Sequence, residues 1–208
     1  PADEALPAES RPAYVLRTPL VGDRARLRRL ARLMGARPVS EAELAAVLRQ
    51  GLRAIYKAAG DPDGWREEAA LLDRVEELAA ELAPLAASIP PPEAEGTPQG
   101  LAARHREIAA ELEELAPLAA EIERIVERDY EPYRERIAEL AFWGEAVQLC
   151  ALRLFLVGID EPPGHPLPKP GPEGLSEADL AAVPEARRDW LAAEALKLLA
   201  PGEDEAKN

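Results

Sequence analysis

The sequence predicts an all-α protein: a helical bundle that carries an antiparallel coiled-coil hairpin. Three observations lead there. The chain is 47% hydrophobic but only 4% aromatic, so its core must be built from Leu, Ala, Val and Ile. That palette is rich in helix formers and poor in residues that favour strands. Long segments repeat their apolar residues at helical or heptad spacing. No alternating β-branched run occurs, so a sheet of any size is not expected.

Residues 1–21 read as an N-terminal tail and extended segment. Pro19 and Asp23 announce a first helix over about 22–35, ended by Gly35. Its apolar face is Leu27, Leu30, Leu33 and Met34. Ser40, followed three residues later by Glu43, is a capping-box signature that opens a second helix over about 41–59. Leu44, Val47, Leu48, Leu52, Ile55 and Tyr56 keep its period, and the Gly60-Asp61-Pro62-Asp63-Gly64 run breaks it.

A third helix is predicted over about 65–87, with the stripe Leu71, Val75, Leu78, Leu82 and Leu85. After a breaker loop at 90–100, a fourth over about 101–128 carries the seam Leu101, His105, Ile108, Leu112, Leu115, Ala119, Ile122 and Val126. Two heptad helices joined by a breaker predict the hairpin. Residues 81–87 and 114–120 both read ELAPLAA, which low-complexity Glu/Leu/Ala drift explains as well as duplication does. Pro84 is placed to end the third helix and Pro117 to kink the fourth, because proline removes a backbone donor and crowds the preceding turn.

The fifth helix, about 132–158 and ended by Gly158, turns apolar nearly all round in its second half. This makes it the expected central core element. The proline-rich stretch 162–172 is a connector. Ser176 and Asp179 cap a short helix, 177–183, and Pro184 restarts the chain into a last helix, 185–199. The expected organisation is a helical body from 22–60 and 129–200, a hairpin insertion at 65–128, and a charged tail at 201–208.

Charge and cysteine content narrow the function. The formal net charge is −14, which on average repels nucleic acid and anionic membrane. Against that average, residues 11–37 hold eight arginines with Asp23 as the only acid. Arg24, Arg26, Arg28, Arg29 and Arg32 therefore form a basic patch, suited to an acidic partner, to nucleic acid, or to docking on the protein's own acidic body. No aromatic interleaving supports base stacking, so docking is the favoured reading and nucleic acid is disfavoured. Cys150 is the single cysteine, which excludes an intramolecular disulfide and fits a reducing cytoplasm. The polar, acidic first residues do not read as a signal peptide, and the longest apolar run, 146–159, is too short to span a bilayer. Few labile amides and many prolines suit a thermophile, though a GC-rich genome gives the same bias.

No catalytic, cofactor or metal set is predicted. The histidines are His105, in the fourth-helix seam, and His165, in the proline connector; zinc sites want several His or Cys ligands. Cys150 falls in an apolar helix, where a thiol is protonated and inert. Ser10, Ser40, Ser88 and Ser176 sit in loops or caps, without a nucleophile-elbow setting. Carboxylate pairs such as Glu76-Glu77 and Glu113-Glu114 read as solvated helix faces. The large apolar residues Phe142, Trp143, Leu152, Phe155 and Trp190 remain as candidates for a partner-binding groove, with core packing as the competing account.

Two stretches resemble the tail assembly chaperones of long-tailed bacteriophages and prophages. The first, residues 14–55, reads YVLRTPLVGDRARLRRLARLMGARPVSEAELAAVLRQGLRAI: an extended YxLRxP start, a basic helix, a turn, and a helix ending in LRxGL. The second, residues 142–208, follows FWGEAVQLCALRLFLVGID with a proline loop, the LSEADLAAV helix, an amphipathic helix and a final E-x-K-N. The resemblance covers about half the chain and leaves out the hairpin. It implies a non-enzymatic helper that binds the long helical tape measure protein and keeps it soluble during tail assembly. It also implies a place in the host cytoplasm. Two alternatives stay open: a structural or adaptor coiled-coil protein that self-associates, and a nucleic-acid-associated regulator that uses the basic first helix.

Overall fold

The structure, a computed structural model, describes residues 13–88, 99–160, 171, 174–181 and 183–199. The expected loose tail at 1–10, most of the breaker loop, nearly all of the proline connector with His165, and the charged tail lie outside the described residues. The fold is all-α with one small ladder. The elements are β1 (Ala13–Leu16), α1 (Asp23–Leu33), α2 (Glu41–Ala58), α3 (Trp65–Ser88), α4 (Gln99–Asp129), α5 (Glu131–Phe155), β2 (Leu156–Asp160), α6 (Glu177–Leu180) and α7 (Glu185–Lys197). They fall into two compact units, residues 39–138 and residues 1–38 with 139–208.

The unit of residues 39–138 holds α2, α3, α4 and the start of α5. Ser40 caps α2 as expected: its hydroxyl accepts from the Glu43 amide at 3.1 Å, and the Glu43 carboxylate reaches back to the Ser40 amide. Gly60, at φ +83°, closes α2, with the Asp61 amide donating to the Tyr56 carbonyl and the Gly60 amide to Lys57. Leu48 and Leu52 of α2, Leu72 of α3, and Ala119, Ile122 and Val126 of α4 form one core with Tyr133. Burial there pushes the Tyr133 hydroxyl up to about 12. A Cβ on Gly51 would run into Val126 and Tyr130, so the glycine is what lets α2 lie this close.

Helices α3 and α4 run antiparallel, because Arg74 pairs with Glu111 at 2.7 Å while Glu81, farther along α3, pairs with Arg104, earlier on α4, at 2.8 Å. The seam expected for α4 is buried or half-buried throughout its length. The stripe expected for α3 omits Leu72, which is buried. A heptad seam serves one neighbour, whereas α3 packs against both α2 and α4 and needs a wider apolar face. Helix α2, grouped with the body on sequence grounds, packs here against α3 and α4. Pro84 does not end α3, which continues to Ser88, and Pro117 lies inside α4.

The unit of residues 1–38 and 139–208 holds the ladder, α1, α6, α7 and the apolar half of α5. Strands β1 and β2 pair antiparallel, with Tyr14 opposite Ile159 and Val15 opposite Gly158. The ladder is too small to alter the all-α class, but one expectation is corrected: α5 ends at Phe155 rather than at Gly158. The cause lies in the helix's last carbonyls, which need donors once the helix stops. Leu175 donates its amide to Arg153 at 2.9 Å, Arg17 donates Nε to Leu154 at 2.7 Å, and the Arg17 amide donates to Phe155 at 2.8 Å. A Cβ on Gly174 would strike the Arg153 carbonyl, so the close approach beside Leu175 requires glycine.

Helix α1 ends as predicted, in a Schellman turn: Gly35 sits at φ +85°, the Ala36 amide donates to Ala31, and the Gly35 amide to Arg32. Its inner face, Leu27, Leu30 and Ala31, packs with Ala146, Cys150, Leu154 and Phe155 of α5 and with Ala195 of α7. A second cluster joins Leu152 and Leu156 to Leu175, Leu180, Val183, Leu191 and Ala192. Among the described residues no helix is long and apolar enough to cross a membrane.

Candidate partner groove and basic face

Two surface features stand out, both on the unit of residues 1–38 and 139–208. The first is a groove between α5 and α7. Glu145, Gln148, Leu149 and Leu152 line it from α5, at the three- and four-residue steps that share a helix face. Glu185, Arg188, Asp189 and Ala192 line it from α7 at the same steps. Leu152 and Ala192 are buried and Leu149 half-buried, so the floor is apolar while the walls are polar. The Arg188 Nε is shielded from solvent yet has no hydrogen-bond partner among the described residues. A guanidinium N–H without an acceptor is costly to bury, so a ligand that brings an acceptor would gain from this site.

The second feature is the outer face of α1. Arg28, Arg29 and Arg32 are exposed and, with Ala25 and Leu33, line a shallow depression along the helix. Among the described residues, none of the three side chains makes a hydrogen bond or ion pair. The other two arginines are engaged. Arg24 donates to the Leu199 carbonyl, just past the end of α7, and half-buried Arg26 lies near Asp23. Asp23 itself is 4% exposed and accepts from Arg17 at 2.7 and 3.1 Å and from the Leu20 amide at 2.6 Å. The Arg17 hydrogen bond holds its carboxyl below the usual aspartate value. Arg17 also lies over the Phe155 ring, 4.7 Å from its centroid, so one side chain joins β1, α1 and the end of α5.

The five predicted anchor residues are divided. Leu152 and Phe155 are 1% and 0% exposed and belong to the core; Leu152 forms part of the groove floor. Trp143 is half-buried against the α1–α5 core. Phe142 and Trp190, at 44% and 49% exposure, are open to solvent but do not line the groove. Sequence reasoning missed the groove's polar walls. Their signal was present in the spacing of Glu185, Arg188, Asp189 and Ala192, but nothing local said that this face of α7 would look at α5. Cys150 is fully buried, and burial pushes its thiol up from the ordinary value. Its sulfur lies 3.7 Å from that of Met34. No group of three or more metal-ligating side chains that could hold a metal occurs among the described residues. No known protein family matches this chain, and neither does any curated protein sequence or solved structure.

Proposed function

We propose that this protein is a non-enzymatic binding protein of the tail-assembly-chaperone kind, which holds amphipathic helical segments of a tape measure protein and keeps them soluble. The observation that carries the reading is the α5–α7 groove, with its apolar floor, polar walls and the unsatisfied Arg188 Nε. A helix laid in such a groove covers its own apolar stripe, and its polar flanks meet the walls. Exposed Phe142, one turn before Glu145 on α5, supplies further apolar area beside it, whereas Trp190 lies on another face of α7. The resemblance at residues 14–55 and 142–208 names the partner, and the groove-forming segments of α5 and α7 both fall in the second of these stretches.

The test is co-expression of a tape measure protein with and without this chain. The expected result is a soluble tape measure that co-purifies with it. Equal solubility in both cases, without co-purification, would overturn the reading. Phe142→Ala, one turn before Glu145 on α5, should weaken capture by about 2 kcal/mol, as aromatic anchors do, with melting unchanged. Trp143→Ala should lower the melting temperature, because that side chain packs against the core.

The unmatched arginines of α1 favour a second reading, nucleic-acid association. It requires binding to duplex DNA or RNA that weakens steeply with salt. Fluorescence anisotropy with a labelled duplex, repeated on Arg28→Glu/Arg32→Glu, decides it.

A further inference from the structure

We infer that the α5–α7 groove is filled, in the absence of another partner, by the outer face of α1 from a second copy of this chain. The inference rests on the reading of the groove as a helix-binding site and adds what occupies it at rest. Two unsatisfied surfaces on the same unit carry it. The groove walls hold Glu145, Glu185 and Asp189 against one guanidinium, Arg188, and none of these acids makes an ion pair among the described residues. The outer face of α1 holds Arg28, Arg29 and Arg32, likewise without an ion pair among the described residues, on one side of an 11-residue helix.

The two faces also match in apolar character. Leu33 is 68% exposed and Ala25 is exposed, on the same face as the three arginines. The groove offers half-buried Leu149 as its apolar contact, above buried Leu152 and Ala192. Nucleic acid would match the arginines but would leave Leu33 without an apolar partner, and the net charge of −14 opposes its approach. An acid-walled, apolar-floored groove selects a basic amphipathic helix, and α1 is one. Residues 25, 28, 29, 32 and 33 follow the three- and four-residue steps by which helices enter grooves. A tape measure segment would then compete with the second copy for the same walls, so the groove is covered until a partner displaces it.

The experiment is sedimentation velocity on the full chain at about 10 and 100 μM, the range in which a micromolar contact fills. The wild-type sedimentation coefficient should rise with concentration at low salt and return to the monomer value at about 0.5 M NaCl, where exposed charges are screened. Arg28→Glu/Arg32→Glu and Glu185→Lys/Asp189→Lys should each weaken association about tenfold or more, since each places like charges together. The four substitutions combined should restore it, because the charges are exchanged. A wild-type chain that stays monomeric overturns the inference, as does association that survives both double variants or a combined variant that fails to recover. Helix content by circular dichroism separates misfolding from lost contact, and Arg28→Gln/Arg32→Gln provides a milder variant if the first misfolds. A tape measure fragment added to the Arg28→Glu/Arg32→Glu chain keeps the two ideas apart. If it binds there while the wild type never self-associates, the resting occupant is wrong and the groove reading stands.

Discussion

The two units differ in how their arginines are met. In residues 39–138, Arg49 meets Asp73 at 2.5 Å and Glu76 at 2.9 Å, Arg74 meets Glu111, Arg104 meets both Glu81 and Glu107, and Arg53 lies 4.3 Å from the centroid of the Trp65 ring. Arg49, Arg74 and Arg104 each stand at a register where a neighbouring helix supplies an anion. In residues 1–38 and 139–208, Arg28, Arg29 and Arg32 of α1 and Glu145, Glu185 and Asp189 of the groove make no ion pair among the described residues, while Arg17 meets Asp23 and Lys197 meets Glu194. On the proposed function, this difference assigns binding to the second unit and support to the first.

The sharpest way to break this comparison is to remove the core of residues 1–38 and 139–208. Phe155→Ala deletes a fully buried ring that packs with α1, α7 and the Arg17 guanidinium, and it should cost about 3–5 kcal/mol. Chemical denaturation followed through Trp143 and Trp190 should show the loss. Trp65, read in a chain that lacks the other two tryptophans, should report a smaller one if the units are energetically separate. Equal shifts at all three probes would mean that the units unfold together and that the division is geometric only.

Asp23→Asn should come next, at about 2–3 kcal/mol, because it removes a charge-assisted pair from a buried carboxylate. The pH dependence has a definite sign. Arg17 holds the folded-state carboxyl below its ordinary value of 3.8. Its contribution is therefore complete above that value and is lost as the pH falls through the lower folded value. Wild-type melting temperature should drop between about pH 4 and pH 2 more steeply than that of Asp23→Asn. Parallel curves would mean that Asp23 does not carry the linkage.

How much could be read in advance divides along similar lines. Helix α2 was legible at both ends because its signals are local: the Ser40–Glu43 box and the Gly60 stop act within four residues. The β1–β2 ladder and the early end of α5 were not. They depend on Arg17 and Leu175 donating to carbonyls of residues 153–155, and Arg17 lies 137 residues from the carbonyl its Nε caps. No local pattern announces such a partner. The basic patch was legible as composition, but its unmatched state was not, because pairing depends on what lies opposite. Among the candidate anchors, Leu152 and Phe155 looked available since a helix apolar all round gives no clue to which residues its neighbours cover.

Smaller effects sharpen the contrast. Ser40→Ala should cost about 1 kcal/mol through the loss of the α2 cap, and a thermal melt would show whether this cost falls on residues 39–138 alone. Arg74→Gln, which removes an exposed cross-helix pair, should leave the melting temperature unresolved from wild type. A clear drop there would show that the surface pairs of α3 and α4 hold the two helices together rather than merely marking their register.

The lone thiol has a practical consequence. Cys150 is sealed between α1 and α5, so a thiol reagent can reach it only when that packing opens. Under mild conditions its labelling rate is therefore a stopwatch for that opening, and each tenfold slowing corresponds to about 1.4 kcal/mol of added protection. Because the sequence holds no second cysteine, the reading needs no mutation and no correction for other sites. The unmodified protein carries its own gauge of how often α1 lifts away from α5.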